Sequence, residues 1–174
     1  MMAEIKQIGA QRMIGYPYLP TMMDGNGSFY SAWQEFLGSD APAQLDAHQT
    51  GTKNRSALIV FSPYSFVYYI GALFPTGTEK FGDFVTFDLP DSRAAVYTEP
   101  ADTIIYQMGV NQGIERLMKQ YKDAKLAIPD HLALTSKPYL LETWRLDDQA
   151  AVQEHGGIMY IGSPQDSQPD EYED

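Results

Sequence analysis

The predicted order of secondary-structure elements repeats once along this chain, and this repeat constrains the fold more than any other feature. Each half contains a strand, a helix and two further strands, over about residues 8–74 and 81–162. A β-α-β-β unit covers only one face of its strands, so two units side by side form one antiparallel sheet with two helices on one side. We therefore predict an α+β fold with pseudo-twofold symmetry and a ligand cleft between the repeats. Short patterns that recur between the halves support this: Tyr69-Ile70-Gly71 with Tyr160-Ile161-Gly162, and Arg12 and Tyr16 with Arg93 and Tyr97.

The individual elements are predicted from apolar periodicity between turn residues. Strands are expected over residues 8–18, 57–64, 65–74, 81–89, 93–98, 137–147 and 157–162, with a bend near Pro63. A first helix follows Ser28, because five apolar residues share one helical face: Phe29, Tyr30, Trp33, Phe36 and Leu37. A second helix lies within residues 103–125, and residues 38–55 are predicted to be a loop. Residues 1–162 then form one domain, followed by a disordered acidic tail over residues 163–174.

The strand predicted over residues 137–147, KPYLLETWRLD, carries one acidic residue at its apolar centre. Side chains alternate between the two faces of a strand, so Leu140, Glu142 and Trp144 share a face. A lone carboxylate costs several kcal/mol to bury in a packed core. A position at the junction of the two repeats removes this difficulty, because the same face then lines the cleft. An alternative is a structural ion pair with Arg93, since Arg145 lies on the opposite face.

Composition excludes several classes of function. The net charge is −11, with 12 basic and 23 acidic residues, whereas direct nucleic-acid binding needs clustered Lys and Arg. The absence of cysteine excludes disulfides and Cys-based metal sites. His48, His131 and His155 have no metal-ligand spacing and are predicted to be surface or loop residues, and we predict no metal and no cofactor. No signal-like segment or membrane-length apolar run is present, which predicts a cytoplasmic protein without membrane contact.

Three features together give the chain a resemblance to a known family. They are the duplicated β-α-β-β order, the strand Leu141-Glu142-Thr143-Trp144 and the closing aromatic strand Met159-Tyr160-Ile161. Over about residues 8–162 the sequence resembles the gyrase-inhibitor-like (GyrI-like) effector-binding domains. Such domains also form the C-terminal part of bacterial multidrug-sensing transcription activators. No helix-turn-helix precedes Ile8, so a regulatory role would need a separate DNA-binding partner.

The resemblance implies a cleft that binds aromatic or cationic small molecules. Glu142 matches the glutamate at the floor of the family's pocket, and Tyr160 matches a pocket tyrosine. Further ligand contacts are expected from the elements on which they lie: Leu140, Trp144, Phe61, Tyr16, Tyr30, Tyr69 and Tyr106. Aromatic side chains suit such a wall, because tyrosine combines an apolar face with a polar tip.

Two other functions remain open at this stage. Some proteins that resemble this chain hydrolyse cyclopropane-containing alkylating compounds; Glu142 would then activate water, and Tyr97 or Tyr160 would polarise a substrate carbonyl. Gyrase-inhibiting relatives instead imply a protein-interaction module, whose acidic surface and tail dock on a basic partner such as a DNA-associated enzyme. Small-molecule binding is the preferred hypothesis.

Overall fold

Eight strands form one antiparallel sheet in which the spatial order of the strands differs from their order in the sequence. The computed structural model describes residues 2–61, 65–126 and 138–161. The strands are β1 (Met2–Ile8), β2 (Gln11–Tyr18), β3 (Lys53–Phe61), β4 (Phe66–Phe74), β5 (Val85–Leu89), β6 (Ser92–Pro100), β7 (Pro138–Leu146) and β8 (Val152–Tyr160). The helices are α1 (Tyr30–Gly38), α2 (Ala41–His48) and α3 (Val110–Asp123). The bend predicted near Pro63, His131 and the predicted tail lie outside the described residues.

The strand order is β1-β6-β8-β7-β3-β4-β2-β5, which confirms the predicted α+β fold built from two similar halves. β2, β4 and β3 of the first half correspond to β6, β8 and β7 of the second, and β3 pairs with β7 at the junction. Within the described residues no helix combines the length and apolar character needed to cross a membrane.

The two halves of the sheet exchange one strand each: the strand just before β2 joins the second half, and the strand just before β6 joins the first. β1, which was not predicted, pairs with β6 of the second half, and β5 pairs with β2 of the first. The predicted start of the second repeat at residue 81 therefore assigns β5 to the second half, although β5 pairs with a strand of the first half. The chain changes halves at Gly9-Ala10 and Pro90-Asp91, where the backbone N–H of Ala10 donates to Asp91 Oδ1 at 2.8 Å.

The sheet must curl, because β1 and β2 lie near its opposite ends but are joined by two residues. Ile8 pairs with Ser92 and Gln11 with Leu89, so the register continues unchanged through the crossing. The curled sheet buries a second core made of strand residues alone: Met13, Leu58, Leu89, Leu141 and Tyr160. The main core lies on the other face, beneath the three helices.

The strand register is compatible with only some of the short sequence patterns that recur between the halves. Tyr16 lies opposite Ile70, whereas Tyr97 lies opposite Gly157 and not opposite Ile161. The match of Arg12 and Tyr16 with Arg93 and Tyr97 is therefore incompatible with the match of Tyr69-Ile70 with Tyr160-Ile161. The repeat exists in the order of elements, and at most one of these two residue matches can reflect it.

The helices pack through the predicted faces, except that Leu37 of α1 is exposed, and the structure adds a third helix. Trp33 and Phe36 of α1, and Leu117 and Tyr121 of α3, are buried at helical spacing. The loop predicted over residues 38–55 contains α2, in which Pro42 occupies the first turn, a position that proline tolerates. Leu45 is fully buried and anchors this short helix.

Candidate ligand-binding site

Three adjacent rows of side chains across the sheet form the floor of the candidate site, on the face beneath the helices. The central row runs Tyr97, Gly157, Glu142, Ala57 across β6, β8, β7 and β3. The carboxylate thus has a residue with little or no side chain on each side. Its own side chain is 25% exposed, so Glu142 lies at an open cavity and not in the packed core.

The flanking row on one side is apolar, and the row on the other side is charged and aromatic. Leu140 is level with Ile59, which is level with Tyr68. In the third row, Glu99 is level with His155, which is level with Trp144. Leu140, Glu142 and Trp144 all face the cavity, as the alternation along β7 predicts, while Leu141 lies in the second core.

The cavity is roofed by the start of α3 and the segment that precedes it. Met108, Gly109, Val110, Gly113, Ile114 and Leu117 line this side, together with Ala101, Thr103, Ile105 and Tyr106. The empty space between floor and roof is about 880 Å³ when the open solvent at the mouth is included. Ile105 is 47% exposed at the mouth.

A continuous set of aromatic rings forms the cavity's inner wall. Phe29 stacks on Tyr68 with centroids 4.2 Å apart, and Trp33 donates from Nε1 to the Tyr68 hydroxyl at 2.8 Å. Trp33 also meets the edge of Trp144 at 5.7 Å. Phe29, Tyr68 and Trp144 line the cavity and Trp33 packs behind them, so both halves contribute to one apolar surface.

Stacking and backbone hydrogen bonds hold the roof in place. Tyr106 lies between Tyr30 and Trp33, at 5.4 and 5.6 Å. The backbone N–H of Val110 donates to the carbonyl of Gly27 at 2.9 Å, so the turn before α1 fixes the start of α3.

A chain of charged groups lies beside Glu142. Nε2 of His155 is 3.7 Å from Oε1 of Glu142, beyond hydrogen-bond length, while Nδ1 of His155 is 3.0 Å from Oε1 of Glu99. Glu99 also accepts from the Tyr97 hydroxyl at 2.8 Å and from Arg116 at 3.4 Å. The His155 ring stacks on Trp144 with centroids 5.1 Å apart.

The carboxylates determine the protonation of this chain of groups. Burial opposes the charged form of His155, but Glu142 and Glu99 outweigh it and raise its pKa above the ordinary 6.5. Burial likewise opposes the charged form of Glu99, yet Tyr97, His155 and Arg116 together lower its pKa. Burial, reinforced by the charge of Glu142, raises the pKa of Tyr68, so its hydroxyl stays neutral.

The structure brings together five of the residues named from the sequence and places the others elsewhere. Glu142, Leu140, Trp144, Tyr97 and Tyr106 line the cavity. Tyr160 and Tyr69 belong to the second core on the opposite face, because Met159, not Tyr160, is level with Leu140. The remaining three do not line the cavity: Tyr30 packs behind Tyr106, Phe61 packs on Phe66, and Tyr16 packs on Phe84 and donates to Asp83.

The predicted position of His155 was wrong, and the alternative ion pair of Glu142 with Arg93 is not the contact that the structure shows. His155 is 6% exposed and belongs to the site, although it was assigned to the surface or a loop. Arg93 is exposed at the start of β6, four positions from Tyr97, the β6 residue level with Glu142; the ion-pair neighbour of Glu142 is His155. Sequence reasoning also missed Glu99, Arg116 and Tyr68. Within the described ranges, no group of three His, Asp or Glu side chains is placed to hold a metal ion.

Comparison with known proteins identifies the fold. No protein-family model and no curated protein sequence matches the chain. The structure of SAV2435 bound to tetraphenylphosphonium is similar, with a TM-score of 0.60 at 13% identity, covering 95% of this chain and 96% of that one. A Staphylococcus aureus MU50 protein to which transcription regulation has been attributed matches with the same TM-score and identity, over 94% and 99% of the two chains.

The C-terminal domain of EcmrR is a third match, with a TM-score of 0.51 at 12% identity, over 93% of this chain and 98% of that one. These matches confirm the GyrI-like fold that the sequence resemblance implied. At such identities the similarity is one of fold.

Proposed function

We propose that this protein binds aromatic organic cations in the cavity, with Glu142 as the counter-ion. The observation that carries the proposal is a partly exposed carboxylate on the floor of a ring-lined cavity, flanked by Gly157 and Ala57. Because Gly157 has no side chain and Ala57 has only a methyl group, the carboxylate oxygens of Glu142 remain open to a ligand. An acidic protein surface, at a net charge of −11, also favours the approach of cations.

The rings provide the second part of the binding energy. A delocalised cation over Trp144, Tyr68 or Tyr97 gains about 0.5–2 kcal/mol from each favourable cation–π or stacking contact. Leu140, Ile59 and Leu117 surround it with apolar surface. We expect Glu142, Trp144, Leu140, Tyr97 and Tyr106 to contact the ligand. The fold match to SAV2435, which binds tetraphenylphosphonium, supports this class of ligand.

The charge of Glu142 can be tested by pairing a cation with a neutral compound of similar shape. We expect Glu142→Gln to weaken tetraphenylphosphonium binding by about tenfold, or about 1.4 kcal/mol, because the counter-ion is lost while the rings remain. Triphenylphosphine oxide, which is neutral, should lose less than about twofold by the same physical reasoning. Isothermal titration calorimetry measures both affinities.

Glu154→Gln is the matched control, because Glu154 is a carboxylate on the adjacent strand, 44% exposed and near Arg145. It should leave both affinities unchanged. Equal weakening of the cation and the neutral compound by Glu142→Gln would remove the electrostatic role and leave only a shape-based site.

Hydrolysis of strained, cyclopropane-containing compounds is a second candidate function. The observation in its favour is the gap of 3.7 Å between Glu142 and Nε2 of His155, with Tyr97 in the same row as Glu142. A water held there could be deprotonated by the carboxylate while Tyr97 polarises the substrate. Tyr160 lies on the opposite sheet face and has no such role. Product formation by wild type but not by Glu142→Ala would support the reaction; no turnover by either removes it.

A further inference from the structure

His155 is a buried polar residue at the cavity that the binding proposal does not use. Its side chain is 7% exposed, and its Nε2 atom has no hydrogen-bond partner within the described part of the chain. Nδ1, by contrast, is held by Glu99. The unpartnered nitrogen faces Glu142 across 3.7 Å, so both groups border the place where the proposed ligand's charge would lie.

We propose that protonated His155 is the cavity's own cation, and that an organic cation binds beside Glu142 by displacing the proton from Nε2 of His155. This inference rests on the proposed function and adds its regulation: protons compete with ligand. The proton that leaves passes to the solvent. The other stays on Nδ1, where it is donated to Glu99, so the neutral ring keeps its position.

The charges around the ring support this exchange. Glu99 and Tyr97 face His155 from β6, and Glu142 faces it from β7. Arg116 of α3 contacts Glu99. Burial raises the pKa of the Tyr68 and Tyr121 hydroxyls, and the negative charge of Glu142 also acts on both and raises the pKa of each further. With His155 protonated, the two carboxylates are balanced by Arg116 and the imidazolium. Without that proton, Glu142 is the uncompensated charge among these groups and attracts an external cation.

The two cations exclude each other because they need the same carboxylate in a partly desolvated site. A ligand charge beside Glu142 repels the imidazolium and favours the neutral ring, which is consistent with a pKa that Glu142 itself helps to raise in the empty protein. Linkage is reciprocal: if the ligand expels the proton, the proton weakens the ligand. The site then selects permanent cations at higher pH and becomes less selective for charge at lower pH.

The test is calorimetric titration of the full chain with tetraphenylphosphonium from about pH 5 to about pH 9, in buffers of different protonation enthalpy. Below the raised pKa of His155, affinity should rise by up to about tenfold per pH unit, with release of nearly one proton per ligand. At higher pH affinity should level off and proton release should stop. Binding with constant affinity and no proton release overturns the inference but leaves the proposed function intact.

Substitutions test whether the proton released on ligand binding comes from His155. His155→Gln should bind tetraphenylphosphonium without pH dependence and, at the acidic end, about tenfold or more tightly than wild type. Retention of the wild-type profile by this variant overturns the inference. His48→Gln is the control, since His48 is exposed and packs on Phe81, outside the cavity, and it should keep the wild-type profile.

A further variant covers the case in which His155→Gln does not fold. Glu99→Gln removes one carboxylate that holds the imidazolium, and should move the midpoint of the affinity profile to lower pH. An unchanged midpoint contradicts the exchange. Absence of tetraphenylphosphonium binding to wild type at every pH overturns the proposed function together with this inference.

Discussion

Gly157 shows how one absent side chain shapes the site. It stands between Tyr97 and Glu142 in the central row, and a Cβ atom there would lie 2.4 Å from Cδ2 of Leu117. Leu117 of α3 therefore packs directly against the β8 backbone, and the Tyr121 hydroxyl donates to the Gly157 carbonyl at 2.9 Å. This close approach sets the depth of the cavity, because it brings α3 down beside Glu142.

Gly157→Ala should lower the free energy of unfolding by about 1–3 kcal/mol, because Leu117 must move to admit the methyl group. Urea denaturation followed by tryptophan fluorescence measures the loss. Gly38→Ala, at a glycine with nothing within 4 Å of an added Cβ, is the control and should not destabilise the protein. A Gly157→Ala variant as stable as wild type would show that Leu117 has free space to move into.

At the scale of elements, α2 is attached to the sheet by a charged pair. Arg55 of β3, 5% exposed, makes two hydrogen bonds to Asp46 of α2, at 2.7 and 2.9 Å. This bidentate geometry satisfies a guanidinium that is otherwise costly to bury. The pair fixes α2 against β3, the junction strand that also carries Ala57 and Ile59.

Asp46→Ala should therefore cost about 3–5 kcal/mol of unfolding free energy, because Arg55 remains buried without its partner. Adding Arg55→Met should recover much of that loss by removing the buried charge. The exposed pair Lys119–Asp123 offers a control: Asp123→Ala should change stability by less than about 1 kcal/mol. Chemical denaturation of wild type and the three variants decides, and an equal small effect at Asp46 and Asp123 contradicts the structural role.

Local patterns in the sequence predict the elements well but leave the distant pairings open. The face of β7 and the buried faces of α1 and α3 follow from spacing within each element. Tyr160 was assigned to the pocket from the family resemblance alone; in β8 Gly157 and Met159 share the face of Glu142 and Leu140, so Tyr160 points to the opposite face. His155 contacts Glu99, which lies 56 positions earlier in the sequence, so no local spacing identifies His155 as a site residue.

At the scale of the whole molecule, the two halves are interlocked through β1 and β5. Ala3 and Ile5 of β1 pack on the main core, and β1 contacts α3, the helix that roofs the cavity. β1 lines no part of the cavity itself. β1, a strand of the first half of the sequence, thus supports the helix that roofs a cavity lined by both halves.

Deletion of residues 2–8 should lower the free energy of unfolding by about 2–4 kcal/mol, because β6 loses its neighbour and two apolar side chains lose their cover. Tetraphenylphosphonium binding should weaken as α3 loses support. Removal of residues 163–174, the predicted tail, is the control and should change neither quantity. Urea denaturation and calorimetry test both, and unchanged binding after deletion of β1 would show that α3 is held by β6 and β8 alone.

The crossing at Gly9-Ala10 and Pro90-Asp91 also bears on synthesis at the ribosome. β2, β3, β4 and β5 can assemble as soon as Leu89 has emerged, whereas β1, made first, waits for β6. Until β7 emerges, β3 exposes an unpaired edge that carries Ala57, Leu58 and Ile59. A nascent chain therefore passes through an interval in which this edge is open to a neighbouring copy on the same messenger RNA, and the length of that interval depends on the rate of translation between residues 89 and 146.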